Sequence, residues 1–240
     1  MSDQRGILVL HGITMSGPSV LRTLGPLRTR LEALGFELVA PNAAHRLTGE
    51  DLTSLSEWMA NRYREMGQSY ADDFADGRFW DAGEHYDWFR SNTDQTTGKK
   101  TYHAVEQSLE VVAAALRERP VVGVLGFSQG AAMATVVAAR ACQGDARFAS
   151  IRWGMFLSGF KPQFDEPKII SYPAGPLPRL FAVGDRDPIF PGNATYLASL
   201  SRAFEGGEEE LVIVPGLGHE VSQDPAVVER LASFAVRASQ

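Results

Sequence analysis

One cysteine in 240 residues, Cys142, excludes an internal disulfide and any metal site built on paired thiolates. Long apolar runs are missing too. The N-terminal MSDQRG carries an acid and leads into only four strongly apolar residues, Ile7 to Leu10, too few for a signal-peptide core or a membrane span. A soluble, cytoplasmic protein is therefore expected. Positive charge is in deficit, with 23 Lys and Arg against 29 Asp and Glu, a net charge of −6. Between Glu50 and Asp94 stand 11 acids and 4 bases, so this segment alone carries −7 and the rest of the chain is close to neutral. Such a balance speaks against nucleic acid or an anionic membrane as partner. Internal repeats, low-complexity tracts and linkers are absent as well, so one domain spanning residues 1–240 is expected.

What is present is an alternation of short apolar β-branched runs with helical patterns. Gly6 to Leu10, Phe36 to Ala40, Val121 to Leu125, Trp153 to Leu157, Leu180 to Val183 and Glu210 to Val214 read as six strands. Between the first two, Leu21, Leu24, Leu27, Leu31 and Leu34 mark one helical face, which Pro26 must kink or restart. Tyr102, Val105, Leu109, Val112 and Leu116 mark another helix, and Asp224-Pro225 is an N-cap followed by proline for a closing helix. This order predicts an α/β architecture, a mostly parallel six-stranded doubly wound sheet with its site at the carboxyl ends of the strands. From about residue 43 to 100 the rhythm stops. One amphipathic helix (Leu52, Leu55, Met59, Tyr63, Met66) and nine aromatic rings, Phe79 and Trp80 among them, predict a helical, aromatic lid there.

Chemistry concentrates at Gly126-Phe127-Ser128-Gln129-Gly130, which fits G-x-S-x-G with a strand before it and a helix after it. The glycines allow a sharp strand-to-helix turn that pushes Ser128 out at the strand end. Gln129 then begins a helix, where an unpaired backbone N–H and the positive dipole end suit an oxyanion. His11-Gly12 leaves the first strand, and the amide of Ile13 is the second oxyanion candidate, although an H-G pair alone is weak evidence.

A serine needs a base within reach and a group that orients the base. Of the five histidines, His11 and His219 stand in loops at carboxyl strand ends, and only His219 follows the serine. His45, His85 and His103 lack metal-ligand spacing, and no metal site is expected. Asp185 and Asp187 compete for the acid in Gly184-Asp-Arg-Asp187; the G-x-x-D spacing favours Asp187, with Asp185 as a turn cap.

HG at 11–12, RFWDAG at 78–83, GFSQGA at 126–131, LSGF at 157–160, GDRDPIFP at 184–191 and PGLGHEV at 215–221 together resemble the FSH family of small serine hydrolases. The resemblance spans nearly the whole chain, and GFSQG with the G-x-x-D and GH loops is shared with acyl-protein thioesterases and carboxylesterases. It implies an α/β-hydrolase fold and cofactor-free hydrolysis of carboxylic esters or thioesters of small to medium acyl groups. Ser128, Asp187 and His219 would form the triad. His11, Thr14, Phe79, Trp80, Phe127 and Phe190 are the expected substrate contacts. Two alternatives stand beside this: a thioesterase releasing acyl chains from a carrier protein, and a ligand receptor with a slow or silent triad. The acidic segment should disfavour strongly anionic leaving groups unless Lys99, Lys100 or Arg46 makes a local basic entrance.

Overall fold

A computed structural model describes residues 5–67, 83–94, 96–97, 100–165, 177–190 and 209–240. Its strands are β1 (Arg5–Leu10), β2 (Phe36–Val39), β3 (His45–Arg46), β4 (Tyr86–Asp87), β5 (Arg90–Thr93), β6 (Lys100–His103), β7 (Val121–Phe127), β8 (Trp153–Leu157), β9 (Arg179–Gly184) and β10 (Glu209–Val214). The helices are α1 (Gly17–Thr23), α2 (Pro26–Ala33), α3 (Gly49–Glu65), α4 (Val105–Glu118), α5 (Gln129–Cys142) and α6 (Pro225–Ala238).

Six strands form one sheet in the order β10-β9-β8-β7-β1-β2, every neighbouring pair parallel. The apolar runs that predicted them are two-faced because both faces are covered. Leu8, Leu10, Val124, Phe156 and Phe181 pack with α4 and α5 on one side. Ile7, Val9, Leu125, Met155 and Leu180 pack with α1, α2 and α6 on the other. A parallel sheet has no solvated face, so alternation along each strand separates two cores rather than core from water.

The chain order reverses between β1 and β7. From β1 it steps outward to β2, then crosses back to β7 and continues to β10. Loops leaving β1 and β7 therefore diverge to opposite faces and open a crevice at the carboxyl end of the sheet. Gly12, Ile13, Met15 and Ser128 line that crevice.

Proline acts as a restart in the first helical stretch: Gly25 at φ +50 separates α1 from α2, and Pro26 stands at the first position of α2. Asp224 caps α6 as its sequence suggests, accepting from Ala226 and Val227 N–H at 2.8 and 3.1 Å. One helical assignment is corrected. Tyr102 has the spacing of the α4 face but belongs to β6, paired with Ser91, because Ala104 at φ +62 breaks the backbone before α4 begins at Val105. The stretch 43–100 likewise holds more than a helix. β3 pairs antiparallel with β4, and β5 with β6. Phe79, Trp80 and Lys99 lie outside the described residues. Among the described residues, no helix is long and apolar enough to cross a membrane.

Candidate active site

The turn after β7 is shaped by what it cannot contain. A Cβ on Gly126 would come within 2.2 Å of Gly130 O, and one on Gly130 within 2.1 Å of Leu10 O. With both positions bare, the strand end meets the helix start closely enough to force Ser128 to φ +54, ψ −119, a backbone region that costs roughly 1–3 kcal/mol for a residue with a side chain. Its N–H is anchored to Leu157 O of β8 at 2.9 Å. The strain is concentrated on the residue that carries the hydroxyl.

That hydroxyl meets the loops after β9 and β10. Ser128 Oγ is 2.9 Å from His219 Nε2, and His219 Nδ1 is 2.7 Å from Asp187 Oδ2. A carboxylate accepts only, so Nδ1 carries the proton and Nε2 presents its lone pair to the serine O–H. All three side chains are buried. Asp187 is held by its other oxygen, Oδ1, which accepts Ile189 and Phe190 N–H at 2.9 and 3.0 Å. Asp185 does something else. It is exposed, and its Oδ1 accepts Gly216 N–H at 2.7 Å, tying the β9 loop to the β10 loop.

Gln129 stands at the first position of α5, where a helix supplies no acceptor for the backbone N–H. Its side chain is locked into the insertion. Gln129 Oε1 accepts Trp88 N–H at 2.9 Å, and Nε2 donates to Asp87 Oδ1. Burial pushes the Asp87 carboxyl above the usual carboxylate range, while the Gln129 amide and the Phe89 N–H pull the other way. The loop after β1 is bound to the same strand: Thr14 N–H donates to Tyr86 O, Tyr86 N–H to Met15 O, and the Trp88 indole to His11 O, at 3.0, 3.1 and 2.8 Å. Residues 86–89 thus brace both candidate oxyanion amides, those of Ile13 and Gln129, from one side. No local pattern signals this, since each partner is more than 40 residues away.

The crevice is a cavity of about 110 Å³. Ser128 and His219 open onto it, and so do Ile13, Phe127, Gln129 and Phe190. Phe127 and Phe190 each stand with ring centroids 5.3 Å from the His219 ring. Helix α3 covers the crevice. Its Met59 and Tyr63 cluster with Ile189, Ile13 and Phe190, and Leu55 and Trp58 add to the lining. Phe160, from LSGF, stacks on Phe190 at 5.1 Å, a contact that its place in a motif quoted only for resemblance did not suggest. Of the described residues expected to contact substrate, His11 and Thr14 need correction. Neither lines the cavity, and both are buried behind it. Thr14, at φ +66, is fixed through its backbone and turns its side chain into the protein. Among the described residues, no group of three His, Cys, Asp or Glu side chains is arranged to hold a metal.

His11 instead shapes the loop. Its Nε2 accepts Ala43 N–H at 3.0 Å while Nδ1 donates to Gly12 O at 2.7 Å, so the neutral ring satisfies two backbone groups that would otherwise be buried bare. Burial lowers its pKa from 6.5 to about 4, with the Gly12 hydrogen bond opposing. Between these values the unfolded chain binds a proton that the native protein refuses. Stability is therefore complete above about pH 6.5 and falls as pH drops towards 4, by about 3 kcal/mol in total from this group. The stability gap between the native protein and His11→Gln, measured by urea unfolding, should narrow over that window. A gap constant from pH 7 to 4 would show that the His11 ring takes up no extra proton on unfolding there.

The family model described as "Serine hydrolase (FSH1)" matches residues 1–228. Esterase OVCA2 of Mus musculus is 33% identical over 164 residues, which cover 65% of this chain and 68% of that protein. Its Homo sapiens counterpart is 42% identical over 106 residues, 42% of this chain and 45% of that one, so the aligned part spans less than half of the human protein. Among solved structures, Zea mays acyl-protein thioesterase 2 superposes with a TM-score of 0.60 at 18% identity, over 99% of this chain and 94% of that one. At that identity the likeness is one of fold, and the fold is that of the α/β-hydrolases. With the family model running from the first strand into the closing helix, this chain belongs to the FSH1 serine hydrolase family.

Proposed function

We propose that the protein hydrolyses carboxylic esters or thioesters of small to medium acyl groups through an acyl-enzyme on Ser128. The observation that carries this reading is the unbroken run of hydrogen bonds from Ser128 Oγ through the His219 ring to Asp187, opening on one cavity. His219 takes the serine proton as Oγ attacks the carbonyl carbon and returns it to the departing alcohol or thiol. Water then attacks the acyl-enzyme by the same route, and the acid is released. Asp187 holds the ring in the tautomer that can accept, and the Ile13 and Gln129 N–H groups receive the oxyanion. No step calls for a cofactor. On this reading residues 1–240 act as one unit in which 43–100 serves as the lid.

Fluorophosphonate labelling followed by steady-state turnover tests it. Multiple turnover on short p-nitrophenyl esters is the expected result, whereas labelling without turnover would point to a receptor that retains the hydroxyl. Chain length gives a second readout. Leu55, Met59, Phe160 and Phe190 make the cavity wall apolar, and each buried methylene is worth about 0.8 kcal/mol, so kcat/KM should rise roughly fourfold per carbon until the cavity fills. A flat profile from acetate to hexanoate would remove the acyl-pocket reading. Carrier-bound thioesters would use the same machinery, and matched ester and thioester pairs distinguish the two.

A further inference from the structure

Among the described residues that line the cavity, one carries an ammonium. Lys100, at the start of β6, lines it together with Asp87, Ser91 and Tyr102 on the side made by the insertion. Its ammonium stands 5.4 Å from the Trp58 ring centroid and 5.6 Å from that of Tyr102, so two aromatic faces fix the charge where it is. Two described arginines of the insertion are already matched: Arg46 pairs with Glu84 at 3.2 Å and Arg90 with Asp51 at 3.5 Å. Among the described residues, no carboxylate forms an ion pair with Lys100. Asp87 is near enough to favour the protonated lysine, but it makes no ion pair with it, and burial pushes the Asp87 carboxyl towards its neutral form. The side chain as a whole is exposed, while the protein around the ammonium still desolvates it and lowers its pKa from the ordinary lysine value. A cation held by rings, partly stripped of water and without an ion pair among the described residues has much to gain from an incoming anion.

We infer that Lys100 is an anion subsite of this cavity, and that the preferred ester carries a carboxylate on the arm that fills it. The inference rests on the hydrolase reading above and narrows it. The Glu50 to Asp94 segment repels anions over its surface as a whole, so the carboxylate must reach this one point. The apolar wall takes the methylenes between ester and carboxylate, which describes half-esters of dicarboxylic acids, or esters of hydroxy acids if the alcohol arm enters. Such a substrate places its two polar ends on Ser128 and Lys100 and its stem on Phe160, Phe190 and Met59.

Two substrate pairs test this on the native enzyme, Lys100→Arg and Lys100→Met. On the acyl arm, p-nitrophenyl hexanoate is compared with the mono-p-nitrophenyl ester of adipic acid. On the alcohol arm, butyl butyrate is compared with 3-carboxypropyl butyrate. The readout is the ratio of kcat/KM for anionic over neutral ester within each pair, in which loss of folded protein cancels. In one pair the ratio should fall about tenfold or more from native to Lys100→Met, survive largely in Lys100→Arg, and shrink with added salt in the native enzyme. The pair that responds identifies the arm. Ratios equal in native and Lys100→Met for both pairs would overturn the subsite, because a lysine that only packs on rings does not sort substrates by charge. Absence of turnover on the neutral esters would instead strike at the hydrolase reading itself.

Discussion

Ser128→Ala is expected to abolish labelling by fluorophosphonates and to lower kcat by on the order of 10³-fold or more while leaving the fold in place. The fold should survive because the hydroxyl does not make the turn. Gly126 and Gly130 make it, by allowing backbone approaches that a Cβ would block, and the Ser128 N–H to Leu157 O bond remains available to alanine. Alanine also tolerates φ +54 no worse than serine does, so the thermal midpoint should stay within a few degrees of the native value. What disappears is the atom 2.9 Å from His219 Nε2. Residual rate in Ser128→Ala would come from the proposed oxyanion amides and the cavity alone. Adding His219→Ala should therefore cost little more, since the two residues act as a unit and their losses do not sum. Near-native turnover by Ser128→Ala would remove the whole mechanism.

The sheet and the elbow could be read from sequence because their signals are local. Val121 to Leu125 is short, apolar on consecutive residues and rich in valine, as a strand buried on both faces is; the observed β7 extends the run by two residues to Phe127. Asp224-Pro225 and Gly25-Pro26 likewise set backbone angles at their own positions. The insertion defeats the same method. β3 and β4 are two residues each, too short to show a period, and they exist through pairing across some 40 residues. Tyr102 fits a helical spacing, yet the left-handed Ala104 between it and Val105 decides the matter, and no residue type there announces a positive φ. His11 was legible as a histidine at a strand end, but its partner is the Ala43 amide, 32 residues on. Chemistry-bearing residue types can be recognised locally; whether a ring faces substrate or backbone depends on what the distant chain brings to it.

The two aspartates of the β9 loop show how far geometry can sharpen such a reading. Asp187→Asn should keep the fold and lose roughly 10⁴-fold in kcat, and the reason lies in the oxygen that does not touch the histidine. Oδ1 accepts two backbone amides, Ile189 and Phe190 N–H, so an asparagine here must keep its carbonyl oxygen on that side or bury two donors unpaired. Its NH2 then takes the position of Oδ2, 2.7 Å from His219 Nδ1, and donates where the carboxylate accepted. The ring responds by moving its proton to Nε2. In that tautomer the nitrogen facing Ser128 Oγ already holds a hydrogen and cannot take the serine proton. Asp185→Asn has no such conflict: its carbonyl oxygen can still accept Gly216 N–H, and its exposed position imposes no choice on the NH2. Its effect should be confined to a few tenths of a kcal/mol in stability or a small change in KM. Measured kcat values for the two variants, with thermal midpoints alongside, decide between them. A severe loss in Asp185→Asn with Asp187→Asn near native would move the orienting acid two residues upstream, and with it the histidine tautomer on which the proposed proton path depends.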